Sequence, residues 1–399
     1  MSDYVNYTVT TLMDLIRIRS VAPPGENYID IVNYISKWLS EFGLNTRVTE
    51  VPKGRVREYY PEWGDYPRYI VFAEFCNSKS NKLHFNAHYD VVPGGSGWLV
   101  TDPFKPVLIN GRVYGRGASD DKGGVAALML LARRLSRLSE FNGCVEFSFT
   151  PDEEIGGLTG VNYLMEVIPK PNYAVVVEPT GLNNIWIGSM GVLQLDVIVR
   201  GVSAHASQSW LGINAFEDGV LLAHVLINGL VRDVNDKEFM GERATMVLGG
   251  LVSSGVTRNL VPGYFQFSID RRLLPNEESS FVIREIMNYI DRYKAELNIK
   301  SSVDINVVNT IESAMNNKDS PLIKTLINTV RKVLYVEPTL SISRSPVDTR
   351  YFQRLGVDSV TYGPGDVTSA HGPDEYINVN DILLASEVYL RLAMSILNG

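Results

Sequence analysis

Apolar positions recur along this chain in two rhythms. The runs RYIVFAEF (68–75), KLHFNAHYD (82–90), CVEFSFT (144–150) and NYAVVVEP (172–179) are short and rich in aliphatic and aromatic residues, which predicts strands. Between them lie longer runs with helical spacing. YIDIVNYISKWLSEF puts Ile31, Ile35 and Leu39 on one face and closes at Gly43, while GGVAALMLLARRLSRL carries Leu128, Leu131, Leu135 and Leu138 on a common stripe. Strands alternating with helices predict an α/β domain, its mixed but mostly parallel sheet covered by helices on both faces.

The rhythm changes after Gly181. VLQLDVIVRG (192–201) alternates apolar with polar residues, as a one-sided antiparallel strand does. A helix in NAFEDGVLLAHVLINGL, alternating strands in ATMVLGGLV and GYFQFSID, and a helix in SSFVIREIMNYIDRYKAEL follow. The expectation is a small inserted α+β domain of ferredoxin-like kind over 189–308, between a first segment 1–188 and a second segment 309–399 of the main domain. PLIKTLINTVRKVL and NVNDILLASEVYLRLAM supply helices to that second segment.

Composition narrows the class. At 399 residues the chain is too long for one ordinary core, and 45% hydrophobic with 21% charged residues is usual for a globular protein. A formal net charge of −8 argues against nucleic acid or an anionic membrane as partner. Cys76 and Cys144 have no metal-type spacing, so neither a disulfide framework nor a thiolate zinc site is expected. No run reaches the roughly 18 apolar residues of a membrane span, and MSDYVNYTVT does not read as a signal peptide. A cytoplasmic protein is expected.

The chemistry sits where strands run out. His88 and Asp90, two apart on a strand, point to one side, and a metal-bound imidazole needs a carboxylate on its second nitrogen. YGRGASDDKGG places Asp120 and Asp121 before a helix, FSFTPDEEIGG places Glu153 and Glu154 after a strand, and VVVEPTG places Glu178 after another. In such sheets working residues gather beyond the carboxyl ends of the strands. The resulting cluster of negative charge is costly without a cation. Imidazole and carboxylates without thiolates fit zinc, cobalt or manganese. Of five histidines, His84 lies deep in a strand and His224 in an apolar helix, and both read as structural. His205, in GVSAHASQ, and His371, in TSAHGPDEY, lie in loops of small residues and are candidates for function.

HYDVVP, GRGASDDKGG, PDEEIGG, VVEPTG, GVSAHAS followed by GINA, RNLVPG, DRRLLPNE and SAHGPDE occur here in one order. In this the chain resembles the M20 family of metallohydrolases, which holds acetylornithine deacetylase, succinyl-diaminopimelate desuccinylase, aminoacylase and glutamate carboxypeptidase. The resemblance implies two divalent metal ions, zinc by preference over cobalt or manganese. It makes Asp120 their bridge, with His88 and Glu178 on one ion and Glu154 and His371 on the other. It makes Asp90 the residue that orients His88, and Glu153 the general base. His205 would supply an oxyanion donor from the inserted domain, acting as lid and dimer contact of a homodimer. Asn259 and Arg272 would hold the substrate's carboxylate; the family's Asp-x-Arg-x-x-Pro selects Arg272 over Arg271. Asp121 would be a turn residue. HASQSWLG departs from the Ser-x-Pro that follows this histidine in many members.

The expected function is hydrolysis of the amide bond of a small N-acyl amino acid. The alternatives are a carboxypeptidase or a di- or tripeptidase acting on short peptides, and a non-catalytic dimerising module. A degenerate relative would be expected to lose Glu153 or Asp120, and this chain keeps both.

Overall fold

The computed structural model describes residues 2–77 and 81–397. It divides into two compact units. One comprises Met1–Gly188, Asn316–Ser341 and Val347–Gly399, the other Ser189–Met315 with Ile342–Pro346.

The larger unit is built on a mixed sheet whose centre is parallel. The order across it is Asn45–Glu50, Tyr69–Cys76, Cys144–Thr150, Lys82–His88, Tyr173–Val176, Asp358–Thr361 and Asn184–Ser189. Lys82–His88 runs parallel to both its neighbours, whereas Tyr69–Cys76 runs antiparallel to Cys144–Thr150. The two central strands are buried along almost their whole length, as expected when helices cover both faces. The helix Lys122–Leu135 is buried all round, because Val125, Leu128, Met129 and Leu131 leave it no polar face. It ends at Leu135, so Leu138 packs from the turn beyond rather than from the helix. The amphipathic helices Tyr28–Glu41, Pro321–Leu334 and Val379–Leu397 complete the core.

The expectation of no disulfide is overturned. Cys76 and Cys144 are bonded. They end and begin adjacent antiparallel strands and stand directly opposite one another in that register. Sequence spacing could not reveal this, because 68 residues separate them and only the strand pairing brings them together.

The smaller unit is a four-stranded antiparallel sheet in the order Thr245–Ser254, Tyr264–Leu273, Gly191–Arg200, Ser302–Ile311. The helices Ala215–Asn228 and Ser279–Glu296 follow its first and third strands, which gives the ferredoxin-like βαββαβ order. Tyr264–Leu273 alternates throughout: Phe265, Phe267, Ile269, Arg271 and Leu273 are buried, with half-buried residues between them. Ser302–Ile311 continues past residue 308, and this unit extends to Met315. His224 is not a core residue. It is exposed on its helix beside Asn228, because the apolar stripe of that helix runs through Leu222 and Leu226 instead. No helix among the described residues is long and apolar enough to cross a membrane.

Candidate metal centre

Two groups of side chains in the larger unit offer ligand atoms within 4.8 Å of one another: His88, Asp120 and Glu178, and Asp120, Glu154 and His371. Asp120 belongs to both. Its Oδ1 lies 3.0 Å from His88 Nε2 and its Oδ2 3.3 Å from His371 Nε2. His371 Nε2 is also 3.0 Å from Glu154, and His88 Nε2 is 4.0 Å from Glu178. Glu153 belongs to neither group.

Strand ends put these groups there. His88 is the last residue of a central strand, Glu178 lies two residues past its parallel neighbour, and Glu153 and Glu154 follow the other neighbour through a short 3-10 turn. Asp90 does more than face His88. Its Oδ1 is 3.4 Å from His88 Nδ1, while its two oxygens accept the backbone N–H groups of Glu153 and Glu154 at 3.2 Å each. One buried carboxylate therefore aligns an imidazole and the turn carrying both glutamates. Asp152 enters that turn at φ 64°, its carboxylate accepting from Arg68 at 2.7 Å and from Tyr28 at 2.8 Å.

The loop carrying Asp120 is organised by a residue whose role the sequence did not disclose. Glu375 is buried and accepts the N–H groups of Gly117, Ser119 and Asp120 at 2.8–3.1 Å. It also pairs with Arg116 at 2.6 Å, and Arg116 donates to the His371 carbonyl at 3.0 Å. The Asp120 loop and the His371 loop are thus tied together. The acid in HGPDEY was visible, but only the fold shows that it receives a row of amides rather than water.

The charges conflict without a cation. Burial opposes ionising Asp120, yet the bonds from His371 and His88 hold its carboxyl below the usual range. Burial also opposes charging His88, but Asp120 and Asp90 outweigh it and hold the imidazole well above its usual value. Asp120 and Glu154 raise His371 to about 10. Burial, then Asp120, pushes Glu154 up to about 7, and burial, then Glu153, pushes Glu178 well above a carboxylate's ordinary value. Glu178 Oε1 is buried with no hydrogen-bond partner among the described residues. An all-oxygen and imidazole donor set with one shared carboxylate and one orphaned buried oxygen fits a pair of divalent cations. Asp121 is buried at the start of the Lys122–Leu135 helix and belongs to neither group. His84 is a satisfied core histidine, bonded to Ser148 at 2.8 Å and facing Glu146 at 3.3 Å.

In the smaller unit, a two-residue ladder pairs His205 with Leu260, and the Asn259 carbonyl accepts from Ala206 at 3.0 Å. His205 and Asn259 are therefore neighbours. His205 Nδ1 accepts the Ser207 N–H at 3.2 Å and lies 2.7 Å from its hydroxyl, which leaves the ring proton on Nε2. Arg271 and Arg272 part company on the alternation of their strand. Arg271 is buried and forks onto Glu277 at 2.6 and 2.7 Å, while Arg272 lies on the opposite face, braced by Asp270 at 2.8 Å. With Arg243, Arg344 and Met190, Arg272 lines a cavity of about 430 Å³.

The model of peptidase family M20/M25/M40 matches residues 84–395. The chain belongs to that family. An uncharacterised metallohydrolase of Methanocaldococcus jannaschii is 27% identical to this M20 chain, covering 98% of it and 99% of the relative. The succinyl-diaminopimelate desuccinylase of Helicobacter hepaticus is 26% identical, over 96% and 95% of the two chains. Among solved structures, a tripeptidase from Staphylococcus aureus superposes with a TM-score of 0.78 at 17% identity, over 99% of each chain. The M20 chain is a metallohydrolase of amide or peptide bonds on a mixed α/β fold.

Proposed function

We propose that the chain is a two-metal amidohydrolase that cleaves the amide bond of a small N-acyl amino acid. The observation carrying this reading is that one carboxylate, Asp120, serves two candidate ligand groups while Glu153, in the same turn as the ligand Glu154, serves neither. His88, Asp120 and Glu178 would hold one ion and Asp120, Glu154 and His371 the other. Zinc suits the donor set, with cobalt or manganese as substitutes, and the pair would supply an acidified water and a Lewis acid for the carbonyl. Glu153 takes the proton of the attacking water and returns it to the departing nitrogen. Burial, followed by the charge of Asp348, raises the Glu153 carboxyl well above its usual value, the direction that suits a residue exchanging protons near neutrality. Asp90 keeps the turn of Glu153 and the ring of His88 in place. His205, with its proton on Nε2, donates to the oxyanion. Asn259 and Arg272 hold the substrate's carboxylate.

The smaller unit would act as lid and as the contact of a homodimer. Its edge strand Thr245–Ser254 exposes Val247, Leu251 and Val252, and its helix Ala215–Asn228 exposes Phe216, Val220, Leu221 and Ile227. An open strand edge beside an apolar helix face is a surface that pairs. A cytoplasmic location has to accommodate the Cys76–Cys144 disulfide, which is usual in oxidising compartments and, inside cells, in hyperthermophiles.

The test is a panel of N-acetyl, N-succinyl and dipeptide substrates, assayed with metal-loaded and chelator-treated protein. Metal-dependent release of a free amino acid from an N-acyl substrate is expected. Turnover confined to dipeptides would replace the deacylase with the peptidase reading, and no metal-dependent turnover would overturn both.

A further inference from the structure

The turn that carries Glu153 and Glu154 is held at its entrance by Asp90, Arg68 and Tyr28. Its exit is held too, by residues remote in sequence. The Gly156 carbonyl accepts from Tyr351 Oη at 2.6 Å and from Arg350 Nη2 at 2.7 Å, across 195 and 194 residues. Arg350 Nη2 also donates to Tyr351 Oη at 2.9 Å, so the two donors brace each other. The Gly156 N–H in turn donates to the Glu153 carbonyl at 2.8 Å. Donors from the short helix Thr349–Arg354 therefore hold the far end of the tight turn whose near end is Glu153.

Arg350 and Asp348 are 3% and 1% exposed, with the guanidinium 3.7 Å from the carboxylate that balances it. Both side chains are shut off from solvent. A buried charge is expensive to keep, and a neutral donor would satisfy one carbonyl at lower cost. The fit is close: a Cβ placed on Gly157, where φ is +67°, would come within 2.3 Å of Asp348 Oδ1.

We propose that Arg350 and Tyr351 are positioning residues that aim the Glu153 carboxylate by clamping the Gly156 carbonyl. The proposal rests on reading Glu153 as the base. It goes beyond the metal ligands, because it assigns part of the rate to a pair whose hydrogen bonds go to the Gly156 carbonyl and to each other.

The experiment is a set of kinetic cycles on the metal-loaded full chain. Tyr351→Phe removes one donor without emptying space and should lower kcat roughly threefold to tenfold at unchanged KM. Arg350→Met should lower kcat by about 10²-fold, the usual cost of a misaimed group, and Arg350→Lys should recover part of that. Metal content should stay at the wild-type value, and hydrogen exchange across residues 151–158 should quicken. In a Glu153→Gln background neither change should slow turnover further. Equal losses in both backgrounds, or wild-type kcat in Tyr351→Phe with unchanged exchange, would overturn the proposal. Should wild type and Glu153→Gln turn over alike, the reading of Glu153 fails instead, and the exchange data still report whether the clamp holds the turn.

Discussion

The two units present their candidate chemistry in opposite ways. In the larger unit His88, Asp90 and Glu178 are buried while His371 is exposed, and the loops are tied by side chains from elsewhere in that unit: Asp90 to the Glu153 turn, Glu375 to the Asp120 loop. In the smaller unit His205 is exposed, its ring meeting Ser207, and Trp210 is 75% exposed. A site that must keep several like charges together needs a rigid frame, because small displacements between buried charges cost the most. A site that must admit and release substrate is left free to close on it. Loss of Asp120 from the first region should therefore cost more than loss of His205 from the second.

The largest effect is expected from Asp120→Ala. This removes the one carboxylate common to both ligand groups, so both ions should be lost, along with measurable turnover. Glu178→Ala or His371→Ala should each weaken one ion alone. Elemental analysis of the three variants checks this, and a single ion retained by Asp120→Ala at wild-type affinity would count against a bridge.

Next is His205→Ala, which should leave metal content intact and lower turnover by about 10²- to 10³-fold, the scale of one oxyanion donor. Mixing it with Glu153→Ala under subunit exchange sharpens the comparison. Recovered activity places His205 in the partner's site, and proven exchange without recovery places it in its own.

The smallest effect is one of pH. In the metal-free chain His371 is held protonated up to about 10 and Glu154 up to about 7. Only the unprotonated forms bind a cation, so metal affinity should climb between pH 6 and 9 with release of protons. Chelator competition at several pH values measures this, and a flat profile would mean that these groups are not ligands.

Much of this was legible in the sequence because strand ends are legible. His88, Glu154 and Glu178 each follow an apolar run, and parallel strands deliver such residues to one edge. The family's Asp-x-Arg-x-x-Pro selected Arg272 over Arg271, and the strand puts the two on opposite faces, since one-residue steps change faces. What the sequence hid was contact across distance. Glu375 looked like one more loop acid, Arg350 had no neighbour of interest along the chain, and the cysteines met only through the pairing of two strands. His224, read as structural from its apolar helix, is exposed because the buried stripe of that helix runs through Leu222 and Leu226.

The central claim is that Glu153 moves a proton and holds no metal. Glu153→Gln tests it directly, because the amide keeps the shape of the side chain and removes the proton acceptor. Metal content and turnover are measured on the same preparation. The expected result is the wild-type metal content with turnover reduced by about two to four orders of magnitude. Loss of an ion, or turnover at the wild-type rate with both ions bound, would contradict it.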